Sequence, residues 1–208
     1  MELVLDLSLH HRFVPGTEPK RAPLLLLHGT GGDETDLLPL GHAVAPGAAL
    51  LSPRGAVSEN GMPRFFRRLA EGVFDEADLC RRTEDLAAFV NAARERYSLA
   101  PPIAVGFSNG ANIAAALLLL KPGMLAGAVL LRAMVPFQQP PVAMLAGTPV
   151  LLLSGLTDRI VPTANAERLA LQLRHAGAAV THKMLPTGHG LSYDDEQAIS
   201  SWINGDTR

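Results

Sequence analysis

The chain has 208 residues, a net charge of −2 at pH 7 and 48% hydrophobic residues, values typical of a globular protein with a substantial core. This charge gives no electrostatic basis for binding nucleic acid or for stable association with an anionic membrane, and no apolar run is long enough to span a bilayer. The single Cys80 excludes an internal disulfide, and residues 1–14 lack the pattern of a signal peptide, so the sequence predicts a cytoplasmic protein.

Short apolar runs alternate with longer helix-forming runs along the chain. Most of the short runs are apolar throughout, which suits strands of a parallel sheet buried on both faces. The predicted strands are 2–9 (an edge strand or hairpin), 23–27, 48–52, 102–107, 127–131, 149–153 and 180–185. The predicted helices are one capped by Asp33 that runs through Val44, followed by 75–97, 109–120, 163–175 and 194–202. This alternation predicts an α/β fold, with one mostly parallel sheet covered by helices on both faces, in a single domain over 1–208.

Two regions of this predicted fold are candidates for a functional site. Residues 54–74 show no clear periodicity, and a long irregular loop in a compact domain is more often functional than idle. In parallel sheets, functional groups also gather at the carboxyl ends of the strands, where the loops meet. The candidate residues described below lie at such ends.

Ser108 lies at the apex of Gly106-Phe107-Ser108-Asn109-Gly110, between a predicted strand and a predicted helix. A strand that turns directly into a helix strains the apex residue and requires small residues two positions away on either side. The apex side chain then stands clear of the sheet, as an exposed nucleophile would. The alternative is a tight turn with an incidental serine.

A nucleophilic serine needs a histidine base, which a carboxylate orients, in the chain order serine, acid, histidine. Between Ser108 and His189 the acidic residues are Asp158 and Glu167, and Glu167 falls inside a predicted helix. Asp158 follows a predicted strand, where a catalytic acid is expected, although aspartate also favours such turns. We select His189, which lies in the flexible Thr187-Gly188-His189-Gly190 turn. His175, near a helix end, and His182, within a strand, are the alternatives that we reject.

The tetrahedral intermediate of such a reaction also needs two hydrogen-bond donors for its oxyanion. One is predicted to be the backbone N–H of Asn109, which follows the nucleophile. The second is predicted to be Thr30, in the glycine-rich loop after the strand at 23–27. This loop lacks the lysine of a phosphate-binding loop, and the chain has no C-x-x-C or H-E-x-x-H motif, so neither a nucleotide, a metal nor another cofactor is expected.

With these residues in place, the chain resembles the small carboxylesterase/phospholipase branch of the α/β-hydrolase superfamily. Within that branch it is similar to bacterial carboxylesterases associated with hydroquinone response. The resemblance covers residues from about 20 to the C-terminus and rests on LLHGTGGDE (26–34), ENGMPRFFRRLAEG (59–72), GFSNGANIA (106–114) and MVP (134–136). The chain departs from the pattern at 131–134, where relatives tend to place histidine or proline near the methionine.

The resemblance implies an open site with little or no lid, in which Ser108, Asp158 and His189 hydrolyse short-chain carboxylic esters through an acyl-enzyme. It also implies oxyanion donors at Thr30 and Asn109. The residues predicted to contact the substrate are Gly29, Arg64, Phe65, Phe66, Met134 and Val161.

The sequence allows two hypotheses for the roles of Arg64, Arg67 and Arg68. In the first hypothesis, one of them binds a substrate carboxylate through a bidentate pair, with Phe65 or Phe66 as a wall of the pocket. In the second hypothesis, the arginines pair with Glu71, Asp75 or Glu76, and the two phenylalanines belong to the core.

Two other functions use the same fold. A thioesterase or lysophospholipase would employ the same three residues and differ in its acyl pocket. A binding protein without activity would keep the fold, but such proteins commonly lose one member of the triad, and here none is missing. The sequence therefore predicts an ester hydrolase whose partner is a small-molecule ester, and it leaves open whether the protein is a homodimer.

Overall fold

The computed structural model describes residues 7–205, which contain a seven-stranded sheet in the order β1-β3-β2-β8-β9-β10-β11. Strand β1 is antiparallel to β3 at one edge, and the other neighbouring strands are parallel. The strands of the sheet are β1 His11–Val14, β2 Leu24–Leu27, β3 Leu50–Pro53, β8 Ile103–Phe107, β9 Gly127–Leu131, β10 Pro149–Gly155 and β11 Ala179–Leu185. The prediction of a mostly parallel sheet is confirmed.

Two small hairpins occupy the segment that was predicted to be an irregular loop. Strand β4 Val57–Glu59 pairs with β5 Met62–Arg64, and β6 Arg68–Ala70 pairs with β7 Val73–Phe74. The prediction of irregular structure is therefore wrong for much of 54–74. Strands of two or three residues are too short to show an alternating pattern, which is why periodicity did not reveal them.

Within residues 7–205, five helices cover the sheet: α1 Leu38–Val44, α2 Glu76–Tyr97, α3 Asn109–Leu120, α4 Thr163–His175 and α5 Tyr193–Ile203. Asp75 caps α2 by accepting a hydrogen bond from the Asp78 N–H, and a reciprocal pair between Ser192 and Asp195 begins α5. None of the helices in this part of the chain is both long and apolar enough to cross a membrane.

The N-terminal third departs from prediction at two points. Asp33 does not cap α1: its carboxylate accepts from the Thr35 N–H at 2.8 Å in a turn, and the helix begins at Leu38. Within the described residues the edge strand is His11–Val14, which follows the alternating stretch at 2–9. Residues 2–6 of that stretch lie outside the described residues, and residues 7–9 are not in a strand.

The apolar core lies in two layers, one on each face of the sheet. Strand β2 shows the division, because Leu25 and Leu27 pack against the layer under α2, α3 and α4, while Leu24 and Leu26 face the layer under α1 and α5. All four side chains are fully buried, and burial of a leucine stabilises a fold by about 1.5–3 kcal/mol. Burial of β2 on both faces explains why this strand is apolar throughout, and the helices on both sides of the sheet provide that burial.

Candidate active site

Ser108 occupies a strained turn between β8 and α3. Its φ of 50° and ψ of −113° lie in a region that L-residues with side chains rarely adopt. The turn is possible because Gly106 and Gly110 have no Cβ: a Cβ on Gly106 would come within 2.6 Å of the Gly110 carbonyl oxygen. The Ser108 hydroxyl therefore stands at the carboxyl end of the sheet, at the N-terminus of α3.

Three side chains from separate loops form a continuous hydrogen-bonded chain at this end of the sheet. His189 Nε2 lies 3.0 Å from Ser108 Oγ, and His189 Nδ1 lies 2.8 Å from Asp158 Oδ2. The Asp158 side chain is 1% exposed, whereas that of His189 is 21% exposed. An imidazole held between a buried carboxylate and a serine hydroxyl has the geometry of a general base oriented for proton transfer.

The surroundings of Asp158 keep it ionised. Burial raises the pKa of this carboxyl, but hydrogen bonds from the Val161 N–H, His189 and the Ile160 N–H outweigh burial and hold the pKa below its ordinary value. The two backbone N–H groups donate to Oδ1 at 3.0 and 2.8 Å, which leaves Oδ2 for His189. Asp158 therefore forms a turn and an acid–histidine pair at the same time.

Two backbone N–H groups are candidates for stabilising an oxyanion. Asn109 is the first residue of α3, where the N–H has no acceptor within the helix. Thr30 belongs to a loop held by the first hairpin: the Gly31 N–H donates to the Pro63 carbonyl at 2.9 Å, and Arg64 Nη1 donates to Thr30 Oγ1 at 2.6 Å. Both residues line the same pocket as Ser108.

His28 fastens the start of this loop to the rest of the fold. Its side chain is buried, with Nδ1 donating to the Gly29 carbonyl at 2.6 Å and Nε2 accepting from the Gly55 N–H at 2.9 Å. Accepting at Nε2 requires a neutral ring. Burial lowers the pKa of His28, although the Gly29 carbonyl and nearby carboxylates offset part of this effect.

We therefore expect the free energy of unfolding to fall as the pH drops below about 6.5. The pKa of His28 is lower in the folded chain, so the unfolded chain binds a proton there more readily in that range, which changes stability by at most about 1.4 kcal/mol per pH unit for one histidine. Urea denaturation at several pH values between 5 and 7.5 measures this slope. It should be smaller in His28→Gln than in the wild type, and an equal slope in the two proteins would contradict the assignment.

The pocket at Ser108 has a volume of about 260 Å³. Six of the sequence-predicted site residues line it: Thr30, Arg64, Ser108, Asn109, Met134 and His189. Asp158 lies behind His189. Arg68, one of the three arginines considered for substrate binding, also lines the pocket. The wall is completed by residues that were not predicted to contact the substrate: Glu71, Gly72, Phe74, Phe107, Asn112 and Ile160. Asn112 could have been found from its spacing, because it lies one helical turn after Ser108 on the same face of α3.

Four residues predicted to contact the substrate do not line this pocket. Phe65 and Phe66 are 3% and 0% exposed and pack in the core, because the hairpin turns their side chains inward. Val161 is also buried and contributes its N–H to Asp158. Gly29 lies behind the wall, where an added Cβ would come within 2.8 Å of the Phe107 ring.

The three arginines pair with carboxylates of the chain. Arg67 contacts Asp75 at 2.6 Å, as the second hypothesis expected, whereas Arg64 and Arg68 share Glu59, at 3.3 and 2.7 Å. Arg64 is 3% exposed, and its contacts make it part of the framework of the Thr30 loop. Binding of a substrate carboxylate by an arginine remains a prediction.

Comparisons with known proteins agree with this architecture. The family model described as Phospholipase/Carboxylesterase matches residues 9–205. The chain is 44% identical over 196 residues to MhqD of Bacillus subtilis (strain 168), which covers 93% of this chain and 97% of MhqD.

Two solved structures are similar over nearly the whole chain. A Bacillus cereus carboxylesterase has a TM-score of 0.93 at 45% identity, covering 95% of this chain and 94% of that one. A Mesorhizobium loti carboxylesterase has a TM-score of 0.92 at 33% identity, covering 98% of each chain. The chain therefore belongs to the phospholipase/carboxylesterase family, has the α/β-hydrolase fold and is a carboxylic ester hydrolase.

Proposed function

We propose that this hydrolase is a serine carboxylesterase that cleaves short-chain esters through an acyl-enzyme, with Ser108, His189 and Asp158 as its catalytic triad. The observation that carries the proposal is the hydrogen-bonded chain from Ser108 Oγ through His189 to Asp158, with separations of 3.0 and 2.8 Å. Ser108, at one end of this hydrogen-bonded chain, lines the pocket, so a substrate in the pocket can reach its hydroxyl.

In the proposed mechanism, His189 Nε2 takes the proton of Ser108 Oγ as this oxygen attacks the carbonyl carbon of the ester. Asp158 holds the imidazole in the required tautomer and stabilises the imidazolium that forms. The N–H groups of Thr30 and Asn109 donate to the developing oxyanion. The intermediate collapses as His189 returns the proton to the leaving alcohol, and water then releases the acyl group by the same steps.

The size of the pocket favours small acyl groups. Its volume of about 260 Å³ lies below the roughly 300–1,000 Å³ of sites that hold drug-sized ligands. The ring of Phe74 and the side chain of Met134 form part of its apolar wall, which suits a short alkyl chain. A long acyl chain would have to extend out of this pocket along the surface.

The test is hydrolysis of p-nitrophenyl acetate, butyrate, octanoate and palmitate by the wild type and Ser108→Ala. We expect the highest kcat/KM for acetate and butyrate, a burst of about one nitrophenolate per active site with acetate, and background rates in Ser108→Ala. A preference for palmitate would contradict the short-chain assignment and favour a lysophospholipase. A folded wild type without activity on any ester or on a matched thioester would instead support a binding protein.

A further inference from the structure

Arg132 lies at the carboxyl end of the sheet, close to the loops that carry the candidate triad. It directly follows strand β9, and its N–H donates to the Leu153 carbonyl of β10 at 2.9 Å. The preceding residue, Leu131, accepts from the Ser108 N–H at 2.8 Å. The φ of Arg132 is 56°, a left-handed conformation that is unfavourable for arginine and directs its buried side chain away from the extended path of the strand.

The guanidinium of Arg132 holds the turn that carries His189. Nε donates to the Gly188 carbonyl at 2.9 Å and Nη2 to the Gly190 carbonyl at 3.0 Å, so the backbone is held at the residue before His189 and at the residue after it. Nη2 also donates to Thr187 Oγ1 at 2.9 Å. Glycine on both sides of His189 gives this turn more backbone freedom than other residues would. The turn therefore needs contacts such as those from Arg132 to hold the imidazole in one orientation.

The buried carboxylate of Asp195 holds the guanidinium of Arg132 in place. Asp195 accepts from Nη1 at 2.8 Å and from Nη2 at 2.7 Å, which is a bidentate pair, and both side chains are 0–1% exposed. Asp195 also accepts from the Ser192 N–H at 2.8 Å at the start of α5. The His189 turn is thus joined to the first turn of a helix through one planar side chain.

We propose that Arg132 is a positioning residue, which holds the 187–190 turn so that His189 Nε2 stays within hydrogen-bond distance of Ser108. This inference rests on the proposed function, in which His189 is the general base. Asp195 neutralises the charge of Arg132, and a buried guanidinium also needs partners for its remaining N–H donors. Three of these further bonds go to the 187–190 turn, so the same contacts that satisfy Arg132 also hold the turn. Lysine cannot replace them, because its ammonium cannot donate to both carbonyls, to Thr187 and to a bidentate carboxylate.

The expected signature is a loss of kcat with little change in KM, because Arg132 is not part of the pocket wall. Misplacement of a catalytic group by about 1 Å costs on the order of 100-fold in rate. We therefore expect Arg132→Lys to lower kcat for p-nitrophenyl acetate about 100-fold, with KM within about threefold of the wild type. Thr187→Val removes one contact and keeps the ion pair, and it should lower kcat about three- to tenfold.

The experiment compares these two variants with Ile199→Ala, which removes a fully buried apolar side chain from α5 and none of the hydrogen bonds that Arg132 makes. Arg132→Lys and Ile199→Ala should each lower the Tm by roughly 10 °C, whereas only Arg132→Lys should lose kcat at a temperature where all the proteins are folded. The downfield proton NMR signal of the His189 Nδ1–H bonded to Asp158 should weaken in Arg132→Lys and persist in Ile199→Ala.

Wild-type kcat in folded Arg132→Lys, or an equal loss of kcat in Ile199→Ala, would overturn the inference. If Arg132→Lys does not fold, Thr187→Val decides: a lowered kcat at unchanged KM supports the positioning role, and wild-type kcat overturns it. Failure of the proposed function is distinguishable, because it would appear in the wild type and Ser108→Ala, as an inactive wild type, a preference for palmitate or an active Ser108→Ala, whatever the Arg132 variant does.

Discussion

Replacing His189 with alanine is expected to lower kcat for p-nitrophenyl acetate by roughly 10⁴- to 10⁶-fold. The imidazole is the side chain that lies within 3.0 Å of Ser108 Oγ, and without a base the hydroxyl is a poor nucleophile at neutral pH. The side chain is partly exposed, so its removal leaves the fold intact and the thermal unfolding curve close to that of the wild type. Steady-state kinetics with urea denaturation of the same samples measure both properties.

The double variant Ser108→Ala/His189→Ala provides the control for this prediction. Residues that act as one unit are not additive, so the double variant should be no slower than either single variant. Asp158→Asn should cost less, roughly 10⁴-fold, since a base remains but in the wrong tautomer. A His189→Ala protein that keeps more than about a tenth of wild-type kcat would contradict its assignment as the general base.

Replacing Gly110 with alanine is expected to lower the free energy of unfolding by about 3 kcal/mol or more, or to prevent folding. The added Cβ would overlap the Leu27 carbonyl group and lie 2.6 Å from the His28 carbonyl oxygen. These are backbone atoms at the end of β2, which cannot rotate away as a side chain would. Helix α3 would have to move back from the sheet, which would also displace Ser108.

Gly190→Ala is a matched control for stability. An added Cβ at Gly190 has no neighbour within 4 Å, and the residue does not have a positive φ. Its free energy of unfolding should stay within about 1 kcal/mol of the wild type. Equal stability of Gly110→Ala and Gly190→Ala in urea denaturation would contradict the close approach of α3 to β2.

Much of the fold could be predicted because its strands and helices have strong local patterns. Strands β2 and β9 are buried on both faces and are therefore apolar throughout, and helices 109–120 and 163–175 were predicted at their observed bounds. The three residues of the candidate triad could also be predicted from the sequence. A strand–turn–helix pattern marks Ser108, and very few acidic residues separate it from His189.

The residues that sequence reasoning missed depend on contacts between distant parts of the chain. The hairpins at 57–74 are too short for periodicity, so the local pattern could not decide whether Phe65 and Phe66 lie in the pocket or in the core, where the second hypothesis placed them. It also did not show that Phe74 lines the pocket. The role proposed for Arg132 rests on its contacts with Gly188, Gly190 and Asp195, which follow it by more than fifty residues.

The proposed mechanism depends on Ser108 as the nucleophile, and covalent labelling identifies the residue that reacts. The wild type and Ser108→Ala would be treated with a fluorophosphonate, and the site of the adduct would be found by mass spectrometry of the digested protein. We expect one adduct per chain on the peptide that contains Ser108, loss of esterase activity in proportion to labelling, and no adduct in Ser108→Ala. An adduct on another residue, or an enzyme that loses its activity while Ser108 stays unmodified, would contradict the assignment of Ser108 as the nucleophile.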